Sequence, residues 1–196
     1  MRKPIDQLKP EDAIPLLVRI RTLILGKQKP DGFTRLMFSI SLFSWFLLTM
    51  WNGISYFVLL TSEIIEENKG FSVNDVIIKN GQNLGFNGEE FLESITTFYF
   101  NSLFVWLFIF IGLALMYRKK RLYTFIVLGG LGVHFIYMFI ILGFQYFIED
   151  VSFFDKILYA LLIMVTIIHS FLMNKEKDGV IRENEETVDE EVSFDR

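Results

Sequence analysis

The sequence predicts an all-α integral membrane protein: a four-transmembrane-helix bundle with both termini cytoplasmic, an N-terminal interfacial amphipathic helix and a small folded extracytoplasmic segment. Three observations predict it. Of 196 residues, 52% are hydrophobic and 22 are Phe, with a mean hydropathy of +0.41. Those averages alone would fit a rich soluble core, but the apolar residues gather in four long runs from which charge is almost absent. Lys and Arg, which set membrane orientation, collect in alternate connecting segments.

Residues 1–35 form the first segment, and no apolar signal-peptide core is read in its opening "MRKPIDQLKPEDAIP". The stretch 12–26, "DAIPLLVRIRTLILG", predicts a surface helix, with Asp12 as its cap and Pro15 in its first turn. Leu16, Leu17, Ile20, Leu23 and Ile24 share one face, flanked by Arg19 and Arg21, so the helix should lie on the membrane as an anchor or dock a partner. The turn "KQKPDG" then leads into the first span.

The spans are read at 36–60, 98–117, 122–148 and 153–173. A helix rises about 1.5 Å per residue, so about 20 residues cross a hydrocarbon core of roughly 30 Å, and all four runs are long enough. Eight Lys or Arg fall in residues 1–35 and four in the link Arg118-Lys119-Lys120-Arg121, but only Lys69 and Lys79 in 62–97, against seven acids. The N-terminus, that link and the C-terminus are therefore placed in the cytoplasm. The link reads first as a topology signal, with anionic headgroup binding as the alternative. Its shortness makes spans two and three an antiparallel hairpin.

The insert 62–97 is too long for an idle loop. "SEIIEENKG" reads as the end of span one, stopped near Gly70; "SVNDVIIKNG" as a short helix stopped at Gly81; "NGEEFLESI" as a helix start capped by Asn87. The tail 174–196 carries nine acids and four basic residues with almost no apolar face, and is expected to be disordered.

One question drives the functional reading. Residues 129–147, "GGLGVHFIYMFIILGFQYF", are built for hydrocarbon yet keep His134 and Gln145. At about 100° per residue, positions eleven apart fall within about 20° of each other, which puts Tyr123, His134 and Gln145 on one stripe with Gly130 a turn below His134. Span one has a matching face of Ser41, Ser44, Asn52 and Ser55. Lipid-facing polar groups are costly, so the stripes should meet or line a shared cavity. Interhelical bonding, with Gly129, Gly130 and Gly132 allowing close approach, is the first reading; a pore lining or ligand pocket is the second. Tyr99, Tyr117, Tyr123 and Tyr146 suit an interfacial belt better than Trp45, Trp51 and Trp106.

Several chemistries drop out. Cysteine is absent, which removes disulfides, thiolate metal sites and thiol redox work. His134 lies about 19 Å deep and His169 only about 6 Å from the cytoplasmic face, so they cannot clamp one haem. His169 instead should reach toward that face beside Thr166 and Ser170. No span keeps a mid-depth carboxylate or Lys, and HExxH, GxSxG and P-loop motifs are missing. The expectation is a protein that is not an enzyme, with no cofactor, no metal and no direct nucleic-acid binding.

What remains is a homo-oligomeric membrane component acting as sensor, anchor or effector, engaging the lipid bilayer and a soluble cytoplasmic partner through its basic helix or acidic tail. A pore lined by the two stripes, and an accessory subunit of a transporter or respiratory complex, are the alternatives. Ile, Phe, Asn and Lys usage fits an AT-rich bacterial genome and hence a bacterial inner membrane. In architecture alone the chain resembles the small four-span membrane proteins of some prokaryotic antiphage systems, such as the membrane subunit of Kiwa and the membrane accessory of type VI-B CRISPR loci. That resemblance implies a role in antiviral defence.

Overall fold

A computed structural model describes residues 10–27 and 29–194, with backbone only for 10–14, 16 and 174–194. The basic residues of 1–9, the Asp12 cap and the Leu16 contribution to the apolar face lie outside the described residues and side chains. Every regular element among the described residues is helical: α1 Pro10–Leu25, α2 Gly32–Leu60, α3 Ser62–Lys69, α4 Val73–Asn83, α5 Glu90–Tyr117, α6 Leu122–Ile141, α7 Gly143–Glu149 and α8 Phe153–Phe194. Four stretches are long and apolar enough to cross a membrane: α2, α5, α6 and residues 153–173 of α8.

Local chemistry starts and stops these helices. Asp31 caps α2, its carboxylate accepting the Thr34 N–H at 3.0 Å. Ser72 caps α4 through the Asp75 N–H, and Ser152 caps α8 through the Asp155 N–H while donating to its carboxylate. Gly70, at φ +64°, ends α3 where a side chain would be strained. Two readings change here. Gly81 does not stop α4 but lies inside it, where an added Cβ would overlap the Phe91 side chain, so the glycine is a packing site. Asn87 does not cap α5 with its side chain; its carbonyl accepts the Glu90 N–H in the turn before the helix.

The four long helices form a ring in which α2 packs on α5 and α8, and α6 packs on α5 and α8, leaving α2 and α6 at opposite corners. The α5–α6 hairpin is the closest pair, as the short link requires. Its intimacy has a specific source. A Cβ at Gly112 would stand 2.7 Å from Val127 Cγ2, 2.9 Å from Ile126 Cγ2 and 3.2 Å from the Val127 backbone nitrogen. Gly130 similarly receives Ile109 Cγ1 at 2.7 Å, whereas Gly129 and Gly132 touch nothing. Lipid tails are as apolar as Leu, so helices in a bilayer gain by such close packing rather than by hydrophobic burial.

Trp106, Leu113, Val127, Leu131 and Leu162 fill the centre, while Phe43, Phe57, Phe104, Phe125, Ile140 and Phe171 stand outward and exposed. An exterior this apolar suits lipid and would aggregate in water. The tyrosines expected at an interfacial belt face the other way: Tyr117, Tyr123 and Tyr146 are buried, and Tyr99 pairs with Tyr146 at 3.1 Å. The hydroxyls of Tyr99, Tyr123 and Tyr146 have partners inside the bundle, which outweighs any gain from headgroups.

Span three is not one helix to residue 148. α6 ends at Ile141, and Gly143, the first residue of α7, takes a left-handed φ of +77° that breaks the helix axis. The tail also differs from the expected disorder: the backbone of α8 stays helical to Phe194. No Pro interrupts it. Extending an existing helix avoids the nucleation cost that a free peptide would face.

The packing at Gly112 makes a direct prediction. Gly112→Ala should destabilise the protein by about 1–3 kcal/mol, because rigid backbone of α6 must move. Gly129→Ala and Gly132→Ala should leave thermal stability in detergent unchanged or slightly raised. Equal effects at all three positions would contradict the close α5–α6 approach.

Candidate functional site

Polar side chains inside the bundle collect at two levels. At the α1 end, α8 presents His169 to α2 and α6. His169 Nε2 lies 3.1 Å from Thr34 Oγ1, and His169 Nδ1 lies 2.7 Å from Tyr123 Oη. The proton positions follow from the partners. Thr34 has one hydroxyl proton and gives it to the Asp31 carboxylate at 2.7 Å. With a neutral ring it can therefore only accept from His169, which puts the proton on Nε2, leaves Nδ1 as an acceptor and makes Tyr123 the donor, its hydroxyl also lying 3.4 Å from the Thr166 carbonyl. Donation runs Tyr123 to His169 to Thr34 to Asp31, and Lys119 closes the end with its ammonium 2.6 Å from Asp31.

Burial alone would raise the Asp31 carboxyl. The hydrogen bond from Lys119, the backbone and hydroxyl of Thr34 and the Lys119 charge outweigh it and hold the group well below the usual carboxylate range. Lys119 itself has φ +54°, with its N–H bonded to the Met116 carbonyl and the Lys120 N–H to Leu115. That is the α5 C-terminal turn in which glycine is the usual occupant. Beside it, Thr124 donates to Ser170 at 3.1 Å.

At the α4 end, His134 Nε2 meets the Tyr159 hydroxyl at 2.9 Å, again an α6–α8 tie. Asn52 of α2 donates to the Tyr99 carbonyl of α5 at 2.9 Å, and Trp45 donates to the Trp106 carbonyl at 2.8 Å. Between these ties lies a cavity of about 190 Å³ that receives Asn52 and Ser55 from α2, Tyr99 and Trp106 from α5, His134 from α6 and Tyr159 from α8, with Asp150 and Asp155 also on its wall. His134 Nδ1 and Trp106 Nε1 have no protein partner.

The two stripes read from sequence thus have a common destination without touching. α2 and α6 are across the ring, yet Asn52, Ser55 and His134 line one cavity. Ser41 and Ser44 are fully buried in α2 packing; Ser44 donates to its own Ile40 carbonyl and Ser41 has no partner. Tyr123 and Gly130 face inward as expected. Gln145 does not: the Gly143 turn rotates α7 so that Tyr146 points in, and Gln145 is exposed and bonded to Glu149. The eleven-residue spacing was sound only for an unbroken helix.

His169 reaches the expected end, but its partners are Thr34 and Tyr123 rather than neighbours on its own helix. Depth could have suggested Tyr123, which enters α6 at the level where His169 leaves α8; Thr34 and Asp31 carried no signal beyond their place before span one. Arg19 and Arg21 are exposed on α1, and Arg118, Lys119, Lys120 and Arg121 cluster at the same end of the bundle. Among known proteins, no family model, no curated protein and no solved structure matches this chain.

Asp31 has two duties that substitution separates. Asn also caps helices, so Asp31→Asn should keep the α2 start and lose only the half-exposed ion pair, about 0–1 kcal/mol. Asp31→Ala should cost roughly 1 kcal/mol more by removing the cap. The folded carboxyl titrates below its unfolded value, so its stabilisation is complete above about pH 5 and lost only as pH falls into strong acid. Melting curves should therefore show the same wild-type-to-Asn gap at pH 5.5 and pH 8.

Proposed function

We propose that this protein is a non-catalytic, homo-oligomeric component of a bacterial multi-protein membrane system, with both termini in the cytoplasm. It would act as a sensor or anchor that engages a soluble partner on that side. The observation that carries this reading is the inward placement of the polar residues. Ser41, Ser44, Asn52, Tyr123 and His134 are all buried within a single chain, so none is left on the outer surface to line a conduit between subunits. The helical continuation of α8 beyond residue 173 offers a second element of support, because it provides an arm long enough to reach a partner. Its acid-rich composition favours a basic docking surface. By architectural resemblance, antiphage defence is one setting for such a component.

A photo-crosslinking residue introduced between 175 and 194 tests the reading in native membranes. One discrete cytoplasmic protein should be captured, and a chain ending at Asn174 should insert normally yet lose it. Equal recovery of that protein by the shortened chain would contradict the role given to the arm. The conduit reading has one observation in its favour, the cavity shared by Asn52, Ser55 and His134. It requires His134→Leu to change the ion permeability of liposomes carrying the protein, whereas the component reading expects liposomes as tight as protein-free ones.

A further inference from the structure

At the α1 end, two basic connections fold around one hollow of about 580 Å³. Lys27 and Lys29 come from the α1–α2 connection, and Arg118, Lys119 and Lys120 from the α5–α6 link; among the described residues on the wall the one carboxylate, Asp31, is paired with Lys119. Leu25 and Tyr117 supply an apolar side. The hollow is a folded feature rather than a chance meeting of surface charge. Arg118 turns back to donate to the Leu23 carbonyl at 2.7 Å, tying α1 to the hairpin. Gly26, at φ +85°, bends the chain past the Arg118 side chain, whose Nε would lie 3.4 Å from an added Cβ.

Lys119 is already paired with Asp31, so Lys27, Lys29 and Lys120 are the cations the hollow offers a ligand, with Arg118 held beside them through its bond to the Leu23 carbonyl. Leu23, whose carbonyl Arg118 binds, and Leu122, which directly follows the basic link, are exposed, so apolar side chains adjoin the basic hollow as a rim.

We propose that this hollow binds the phosphate headgroup of an anionic phospholipid, its acyl chains lying along the apolar rim. The basic residues neutralise the phosphate, and the position at the ends of α5 and α6 sets the headgroup at the depth of the bilayer surface. A soluble phosphate compound shares the headgroup chemistry but has no use for the leucines.

The test is native mass spectrometry of the full-length protein in detergent, titrated with phosphatidylglycerol or phosphatidylcholine of identical chains. Wild type should retain phosphatidylglycerol preferentially, and a tenfold-plus excess of inorganic phosphate should not displace it. Lys27→Gln/Lys29→Gln/Lys120→Gln should weaken that retention by at least about tenfold, and Lys120→Gln alone by roughly fivefold, from the usual worth of a surface charge near anionic lipid. Arg19→Gln/Arg21→Gln, outside the hollow, should leave it unchanged. If the triple variant fails to fold, the single Lys120→Gln variant decides. Unaltered lipid preference in these Lys variants, an equal loss from the Arg19/Arg21 pair, or displacement by inorganic phosphate would each overturn the proposal.

Discussion

The tie from Tyr123 through His169 and Thr34 to Asp31 is the interaction on which the register of the bundle depends. It joins α6, α8 and the start of α2, and Lys119 brings in the end of α5. A buried imidazole gains from a partner at each of its two nitrogens, and hydrocarbon offers it no water. Sliding α8 by one turn, about 5.4 Å, would strand both nitrogens and the Tyr123 hydroxyl. Interhelical bonds in membranes average under about 1 kcal/mol each, so the tie selects one arrangement more than it deepens the well. The stability itself comes from packing: Gly112 and Gly130 let α5 and α6 close on Val127 and Ile109.

The second level is built by the same rule with a different outcome. His134 finds Tyr159, and Asn52 finds a carbonyl of α5, but His134 Nδ1 and the Trp106 indole nitrogen are buried without a protein partner, in side chains that help to line the cavity. One end of the bundle is therefore closed by a complete donor-to-acceptor sequence ending in an ion pair, and the other keeps polar capacity in hand.

The sequence made the four spans, the hairpin and the inward stripes legible because each rests on periodicity and charge, which act over short distances along the chain. It also placed Ser41, Ser44, Asn52, Tyr123 and His134 on inward faces. Gln145 was misplaced by a single residue property elsewhere, the left-handed turn at Gly143, which a helical wheel cannot register. Gly81 read as a stop signal because local propensity cannot see Phe91 arriving from another helix. The tyrosines read as a belt for the same reason: their hydroxyl partners, Tyr146 for Tyr99 and His169 for Tyr123, are 46 or 47 residues away in sequence. Asp31 was unremarkable until Lys119 and Thr34 came to it.

The central claim is that the polar faces of the spans close on one another inside a single chain. The chain has no cysteine, so single introduced thiols report on their own positions. The most direct measurement is the labelling rate, in native membranes, of Ser41→Cys and Ser44→Cys by a charged, membrane-impermeant thiol reagent, against Lys79→Cys as an exposed reference. The account predicts that the two buried positions stay unlabelled until the protein is denatured, while the reference reacts at once. Labelling of Ser41→Cys and Ser44→Cys at a rate near that of the reference would mean a water-filled path along α2, and would contradict the packed bundle described above.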